Sequence, residues 1–240
     1  MEEIYEKYIT THTGKWHPLD KKEYEMFFRY FKINYGPFLP KNKDAYVADF
    51  GCGPGHFLYF LKKMGYENSI GIDISEECVE FCKKMGFRVE KGDVIEFVKD
   101  EKNKERFDLI VMNDILEHIK KEDIIPLLKG ARACLKEKGK IIIKVPNASN
   151  PFLGSNSRYI DFSHSILFTE ESLSQVLDVA GFKNVIIKPQ FIYIFYWNPI
   201  NYLALISSKI LNFLFRLIFL LYGNDTTRIF TKSIIGIAEK

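Results

Sequence analysis

The chain has 240 residues, 47% of them hydrophobic and 27% charged, with a formal net charge of +3. That length suits one α/β domain with additions, and the mixed, nearly balanced charges exclude the basic excess of a nucleic-acid-binding surface. Cys52, Cys78, Cys82 and Cys134 form no CxxC pair, and the opening MEEIYEKYIT lacks the basic and then apolar build of a secretory signal, so reduced thiols and a cytoplasmic setting are expected.

In chain order, an aromatic-rich helical stretch spans Tyr24 to Tyr35 and stops at Gly36-Pro37 and Leu39-Pro40, because proline cannot continue a helix. AYVADF (45–50) then reads as a short buried strand, GCGPG (51–55) as a turn and HFLYFLKKM (56–64) as a helix by its apolar spacing. The cycle repeats with a strand at SIGIDI (69–74), a helix at SEECVEFCKKMG (75–86) capped by Ser75 and stopped by Gly86, and a third strand at FRVEKGD (87–93). FDLIVMND (107–114) is a fourth strand, nearly all apolar as where helices cover both faces. IIPLLKGARACLKEKG (124–139) is a helix closed by Gly139, and KIIIKVP (140–146) the fifth strand. Thr169 caps a helix over 169–182, NVIIKP (184–189) is a sixth strand and KSIIGIAEK (232–240) a seventh.

This alternation predicts an α/β fold with a doubly wound, mostly parallel seven-stranded sheet. One domain covers 1–240: a helical cap (1–44), a ligand-binding core (45–190), an apolar insertion (191–231) and the last strand (232–240). Ligands of such sheets sit beyond the strands' carboxyl ends, so function should collect at residues 49–55, at Asp73 and Asp93, and at 113–118 and 146–150.

Gly51, Gly53 and Gly55 follow a strand and open a helix, so a ligand approaches bare backbone there. A dinucleotide fingerprint would want a small residue where this chain has His56, and the acidic rim of Asp49, Asp73 and Asp93 repels a pyrophosphate while tolerating a cation. Asp73, at a strand end, is placed to accept from two ribose hydroxyls, and Asp93 with Val94 to meet an adenine edge.

The series VADFGCGPGHF (47–57), GIDIS (71–75), GD (92–93), FDLIVMNDILEHI (107–119) and KGKIIIKVPNAS (138–149) resembles the ordered motifs of the class I S-adenosylmethionine-dependent methyltransferases, over roughly residues 45 to 190. The resemblance implies a Rossmann-like fold and S-adenosylmethionine as cofactor. It assigns the loop with Asp49, Gly51, Cys52, Gly53 and Gly55 to the methionine part, Asp73 and the neighbouring Ile74 to the ribose side, Asp93 and Val94 to the adenine, and Asn113 to the cofactor from the fourth strand's end. NDILEHI, VPN and RYIDFSHSILFTEESLSQVLDVAGF (158–182) are similar to methyltransferases of sugar and surface-glycan biosynthesis. The expected acceptor is a small molecule, a sugar nucleotide or a lipid-linked glycan, methylated on oxygen, with amino-sugar nitrogen as the alternative. An NAD-dependent oxidoreductase and a non-catalytic nucleoside-binding module are the rivals from other classes.

Methyl transfer is an in-line displacement, so the chain must align acceptor, methyl and sulfur, and for a hydroxyl acceptor supply a base. His118 is one candidate, with Glu117 beside it to orient the ring or bind the acceptor. Asp161 and His164, three apart in a polar loop, are a second candidate pair, and Arg158 would clamp an acceptor phosphate or carboxylate. Asp114, His118, Asp161 and His164 offer oxygen and nitrogen donors, but no compact ligand spacing joins them, so no metal is expected. Trp16-His17-Pro18 is expected to pack an aromatic against the core.

From 191 to 222 the charges reduce to Lys209 and Arg216, and Asn198-Pro199 interrupts the apolar run. A lid or homodimer surface is the first reading, membrane-surface docking the second and a membrane span the third. Docking would make the protein peripheral at the inner membrane face.

Overall fold

The structure, a computed structural model, describes residues 21–191 and 199–240, so Trp16, His17 and Pro18 lie outside it. Seven strands form one sheet: β1 (Val47–Phe50), β2 (Ser69–Asp73), β3 (Val89–Lys91), β4 (Phe107–Asn113), β5 (Leu135–Pro146), β6 (Lys183–Pro189) and β7 (Ser233–Glu239). Their order is β3-β2-β1-β4-β5-β7-β6, and β7 runs antiparallel to both β5 and β6 while the other pairs are parallel. The order reverses between β1 and β4, which opens a crevice at their carboxyl ends.

The helices are α1 (Lys21–Asn34), α2 (His56–Lys63), α3 (Glu76–Lys84), α4 (Val94–Lys99), α5 (Lys121–Cys134), α6 (Gly154–Tyr159), α7 (Glu170–Val179) and α8 (Pro199–Leu221). One face of the sheet packs Phe50, Ile72, Ile110 and Ile143 against α5 and α7 through Leu127, Leu128, Leu173 and Leu177. The other packs Val47, Leu109, Val111 and Ile142 against Phe57, Phe60 and Leu61 of α2 and Tyr30 and Phe31 of α1. Burial on both faces explains why the central strands are continuous apolar runs without alternation.

Ser75 and Thr169 cap α3 and α7 as the sequence predicts; Thr169 completes a capping box with Ser172. One prediction needs correction. The helix expected to run to Gly139 stops at Cys134, because Leu135 already pairs with Phe107 and the following residues enter β5 through a register shift. Residues 199–221 form one 23-residue helix, α8, with Pro199 in its first turn, where proline is tolerated.

Candidate active site

Gly51, Gly53 and Gly55 carry φ of 67°, 50° and 82°. A side chain is strained in that region, and at Gly51 a Cβ would also stand 1.9 Å from Ile115 Cδ1. At Gly53 it would meet nothing within 4 Å, so bare main chain borders open space at the carboxyl end of β1. Cys52 differs from expectation. Its side chain is buried, its N–H donates to Ile72 O at 3.2 Å and its carbonyl accepts from Gly55 N at 2.9 Å, so it acts through the shape of the loop and not through its side chain.

Asp73 reaches back into this loop. Its Oδ2 accepts from Gly53 N at 2.7 Å and its Oδ1 from Ser75 N at 2.9 Å. A carboxylate has about four acceptor positions, so these bonds leave acceptor capacity for a hydroxyl. Burial raises its pKa, and the backbone donors oppose that shift. Asp49 is buried with Oδ1 lacking a hydrogen-bond partner among the described residues, and burial followed by the Asp73 charge pushes its carboxyl well above the usual range. Ile74, 41% exposed, offers an apolar surface beside Asp73. Asp93 caps α4 by accepting from Ile95 N at 2.7 Å, and Val94 is buried at that helix's start. An open glycine cradle, an orphaned buried carboxylate oxygen and a strand-end carboxylate with spare acceptors fit the methionine and nucleoside parts of S-adenosylmethionine.

Helix α1 braces the cradle in a way the sequence reading missed. Tyr24 Oη donates to Pro54 O at 2.7 Å, Phe27 stacks on His56 with centroids 4.1 Å apart, and Tyr35 Oη donates to Asn113 Oδ1. Burial depresses the His56 pKa to about 3, so the ring stays neutral in its aromatic bed. The aromatic spacing of α1 was the available signal, although nothing in it says which loop it meets.

Beyond β4 and β5 lies a cleft of about 310 Å³ lined by Asp114, Glu117, His118, Lys144, Asp161, His164 and Lys232 among others. It unites the two candidate clusters, because Ser165 N donates to Glu117 O at 2.6 Å and ties the loop after α6 to the turn after β4. The pairing within it is not the expected one. Asp161 stands 4.0 Å from His164 Nε2, whereas its Oδ1 accepts from Ser163 Oγ at 2.6 Å, and Ser163 Oγ lies 2.7 Å from His118 Nδ1. Since the serine proton goes to Asp161, the histidine must donate to the serine, which puts the proton on His118 Nδ1 and the lone pair on Nε2. His164 Nδ1 lies 2.6 Å from the Ser157 carbonyl, which can only accept, so His164 likewise carries its lone pair on Nε2. The two rings meet edge to face, 4.6 Å apart.

Glu117 is fully buried in this cleft, and both carboxyl oxygens lack a hydrogen-bond partner among the described residues. Burial, reinforced by the Asp114 charge, raises its pKa well above the usual range. Lys144 pairs with Asp114; burial opposes its charge, but Asp114 prevails and holds the ammonium protonated. Arg158 is corrected as well: its guanidinium donates to His164 O and braces the loop, and the cations lining the cleft are Lys144 and Lys232. The metal expectation also changes, because one donor atom each from Glu117, His118 and His164 lie within 4.8 Å of one another across two loops.

A seven-stranded sheet of this order, with a glycine cradle beside a strand-end aspartate, defines the class of S-adenosylmethionine-dependent methyltransferases. A methyltransferase-domain family model matches residues 26–186, and the chain belongs to that family. A SAM-dependent methyltransferase from Archaeoglobus fulgidus is 26% identical, with a TM-score of 0.67 over 90% of this chain and 94% of that one. A phosphoethanolamine N-methyltransferase from Haemonchus contortus, solved with phosphomonomethylethanolamine and S-adenosylhomocysteine, shares the fold at 16% identity, with a TM-score of 0.62 over 98% of this chain and 60% of that one. A tRNA U34 carboxymethyltransferase from Aliarcobacter butzleri is 27% identical over 150 residues, which are 60% of this chain and 49% of that protein's length. The chain thus spans about half of that curated relative.

Proposed function

We propose that the chain O-methylates a small polar acceptor, a sugar or phosphorylated glycan intermediate, seated in the cleft beyond β4 and β5. The observation that carries this reading is the pair of fixed tautomers: Nε2 of His118 and of His164 are the lone-pair nitrogens of the cleft, so an entering hydroxyl meets groups able to draw its proton. Lys232 adds a cation to the lining of the same cleft for a phosphate. When bound, S-adenosylmethionine supplies an electrophilic methyl on a positively charged sulfur. Asp73 and the loop from Gly51 to Gly55 would hold its nucleoside and methionine parts, and Asn113, anchored by Tyr35, would border it from β4.

Methyl transfer from labelled donor to a panel of sugar phosphates, nucleotide sugars and amino sugars tests the assignment. Label in a base-stable ether supports oxygen as acceptor; label confined to amino sugars replaces it with N-methylation. Binding of NAD in preference to S-adenosylhomocysteine would remove the reading altogether.

We further propose that α8 docks this cleft at a membrane surface, where a lipid-linked acceptor resides. The helix turns Asn212, Phe215 and Phe219 inward: Asn212 Oδ1 accepts from Phe230 N at 3.0 Å, and both rings pack on Phe230. Outward it exposes Leu203, Ile206, Ile210, Phe213, Leu217 and Leu220. Lys209 and Arg216, seven residues apart, fall on one flank between these faces. An apolar outer face edged by cations is the pattern of a helix lying in the interfacial plane. No residue of α8 is among the described lining of the cleft, which weakens the lid alternative.

A further inference from the structure

We infer that Glu117, His118 and His164 form a binding site for a first-row divalent metal ion at the floor of the acceptor cleft. The inference rests on the reading of that cleft as the acceptor site, and it replaces direct proton removal by the imidazoles with their holding of an ion that acidifies the acceptor. Two observations converge. One donor atom from each residue falls within 4.8 Å of the others, so modest side-chain rotation would bring all three to the distance of about 2.0–2.2 Å at which one ion holds them. Glu117 is fully buried with both carboxyl oxygens lacking a hydrogen-bond partner among the described residues, although the cavity it lines is polar. A buried carboxyl without a partner is costly, and a cation is the partner that removes the cost.

The surroundings are those a metal site needs outside its ligands. Each histidine gives its Nδ1 proton away from the cluster, His118 to Ser163 and on to Asp161, His164 to the Ser157 carbonyl. Those hydrogen bonds fix the tautomers and put the lone pair of each ring on Nε2, where it can serve as a ligand. Lys144, whose charge acts on Glu117 from the same cleft, is already paired with Asp114. Two imidazoles with one carboxylate select a first-row ion such as Zn²⁺, Fe²⁺ or Co²⁺ over Mg²⁺ or Ca²⁺, which prefer oxygen donors. Three protein ligands also leave positions on the ion for an acceptor oxygen; the ion would lower that hydroxyl's pKa, so that its proton would pass to water in the cleft and not to the ligated imidazoles.

The full chain, freed of metal by dialysis against a chelator, is titrated with Co²⁺ and followed by visible absorption. The expected result is about one equivalent bound, with d–d bands and no thiolate charge-transfer band, since the four cysteines lie elsewhere in the fold. Glu117→Gln and His164→Ala should each weaken binding at least about 10–100-fold, and Ser163→Ala, which removes only the hydrogen bond behind the His118 ring, by about 10-fold or more. No Co²⁺ uptake by the unmutated chain, a thiolate band, or uptake unchanged in both ligand variants would each overturn the site. S-adenosylhomocysteine affinity, measured on the same samples, verifies that the variants are folded. It also separates the two readings: intact binding without Co²⁺ uptake removes the metal site and leaves the methyltransferase assignment standing.

Discussion

Ser163 and His118 lie 45 positions apart in sequence, yet Ser163 Oγ is 2.7 Å from His118 Nδ1 and donates its own hydrogen bond to Asp161. The serine is a positioning residue: it converts a buried carboxylate into an acceptor that holds one imidazole in one tautomer. Ser163→Ala should therefore lower turnover by about 10²-fold, at the low end of what a proton-transfer group contributes, without changing affinity for S-adenosylhomocysteine. Ser163→Thr, which keeps the hydroxyl, should recover part of the loss. A pH–rate profile that moves in Ser163→Ala and returns in Ser163→Thr distinguishes this role from simple packing; an unmoved profile with equal losses in both variants would count against it.

The carboxylate of Asp73 gives a second test. It joins the glycine loop to α3 through Gly53 N and Ser75 N, and its remaining acceptors would take the ribose hydroxyls. Asp73→Asn keeps the size but removes charge and acceptor capacity. Each charge-assisted bond is worth about 1.5–3 kcal/mol, so losing the equivalent of one weakens S-adenosylhomocysteine binding about 10–100-fold. Isothermal titration measures it, and an unaltered dissociation constant would remove Asp73 from the nucleoside site.

The cofactor half of this site was legible in the sequence because local rules carry it. Positive φ demands glycine at 51, 53 and 55, an acid at a strand end stays near the loop before it, and each strand-helix step fixes the next crossover. The cleft beyond β4 and β5 was legible only as a list of residues. Asp161 and His164 are three apart and look like a pair, but His164 turns its Nδ1 to Ser157, and Asp161 chooses Ser163 instead. The grouping of Glu117 with His118 and His164 depends on a loop docking onto another through Ser165 N, a contact without a periodic signature. Arg158 misled for the same reason, since charge suggests a ligand while the nearest acceptor is the loop's own carbonyl.

His56 predicts a pH dependence. It is buried against Phe27 and Tyr24, and its folded pKa of about 3 lies below the ordinary 6.5. The folded state binds the neutral ring, so its contribution is complete above about pH 6.5 and is lost as pH falls toward 3, with a limiting slope of about 1.4 kcal/mol per pH unit. Replacing the ring by one that cannot charge, His56→Phe, should flatten the acid limb of stability between these values. Urea unfolding at several pH values reads the slope; equal slopes in both proteins would show that His56 is not the titrating group.

Helix α8 sets the last expectation. Its 23 residues extend about 35 Å, enough to cross a bilayer core of about 30 Å, so length alone does not distinguish spanning from lying flat. The side-chain distribution does. Lys209 and Arg216 sit mid-helix, which a span would place in hydrocarbon, and Asn212 holds the inner face to the Phe230 backbone. An in-plane helix satisfies both, with the apolar face in the acyl boundary and the cations at the headgroups. The chain should therefore float with anionic vesicles, and Phe213→Glu together with Leu217→Glu should abolish flotation while leaving S-adenosylhomocysteine binding intact. Lys209→Ala with Arg216→Ala should weaken binding about 30-fold at low salt, at about 1 kcal/mol per cation. If the same face instead joins two copies, sedimentation will show a dimer that the acidic substitutions break and no flotation at any salt, and the membrane reading is then replaced.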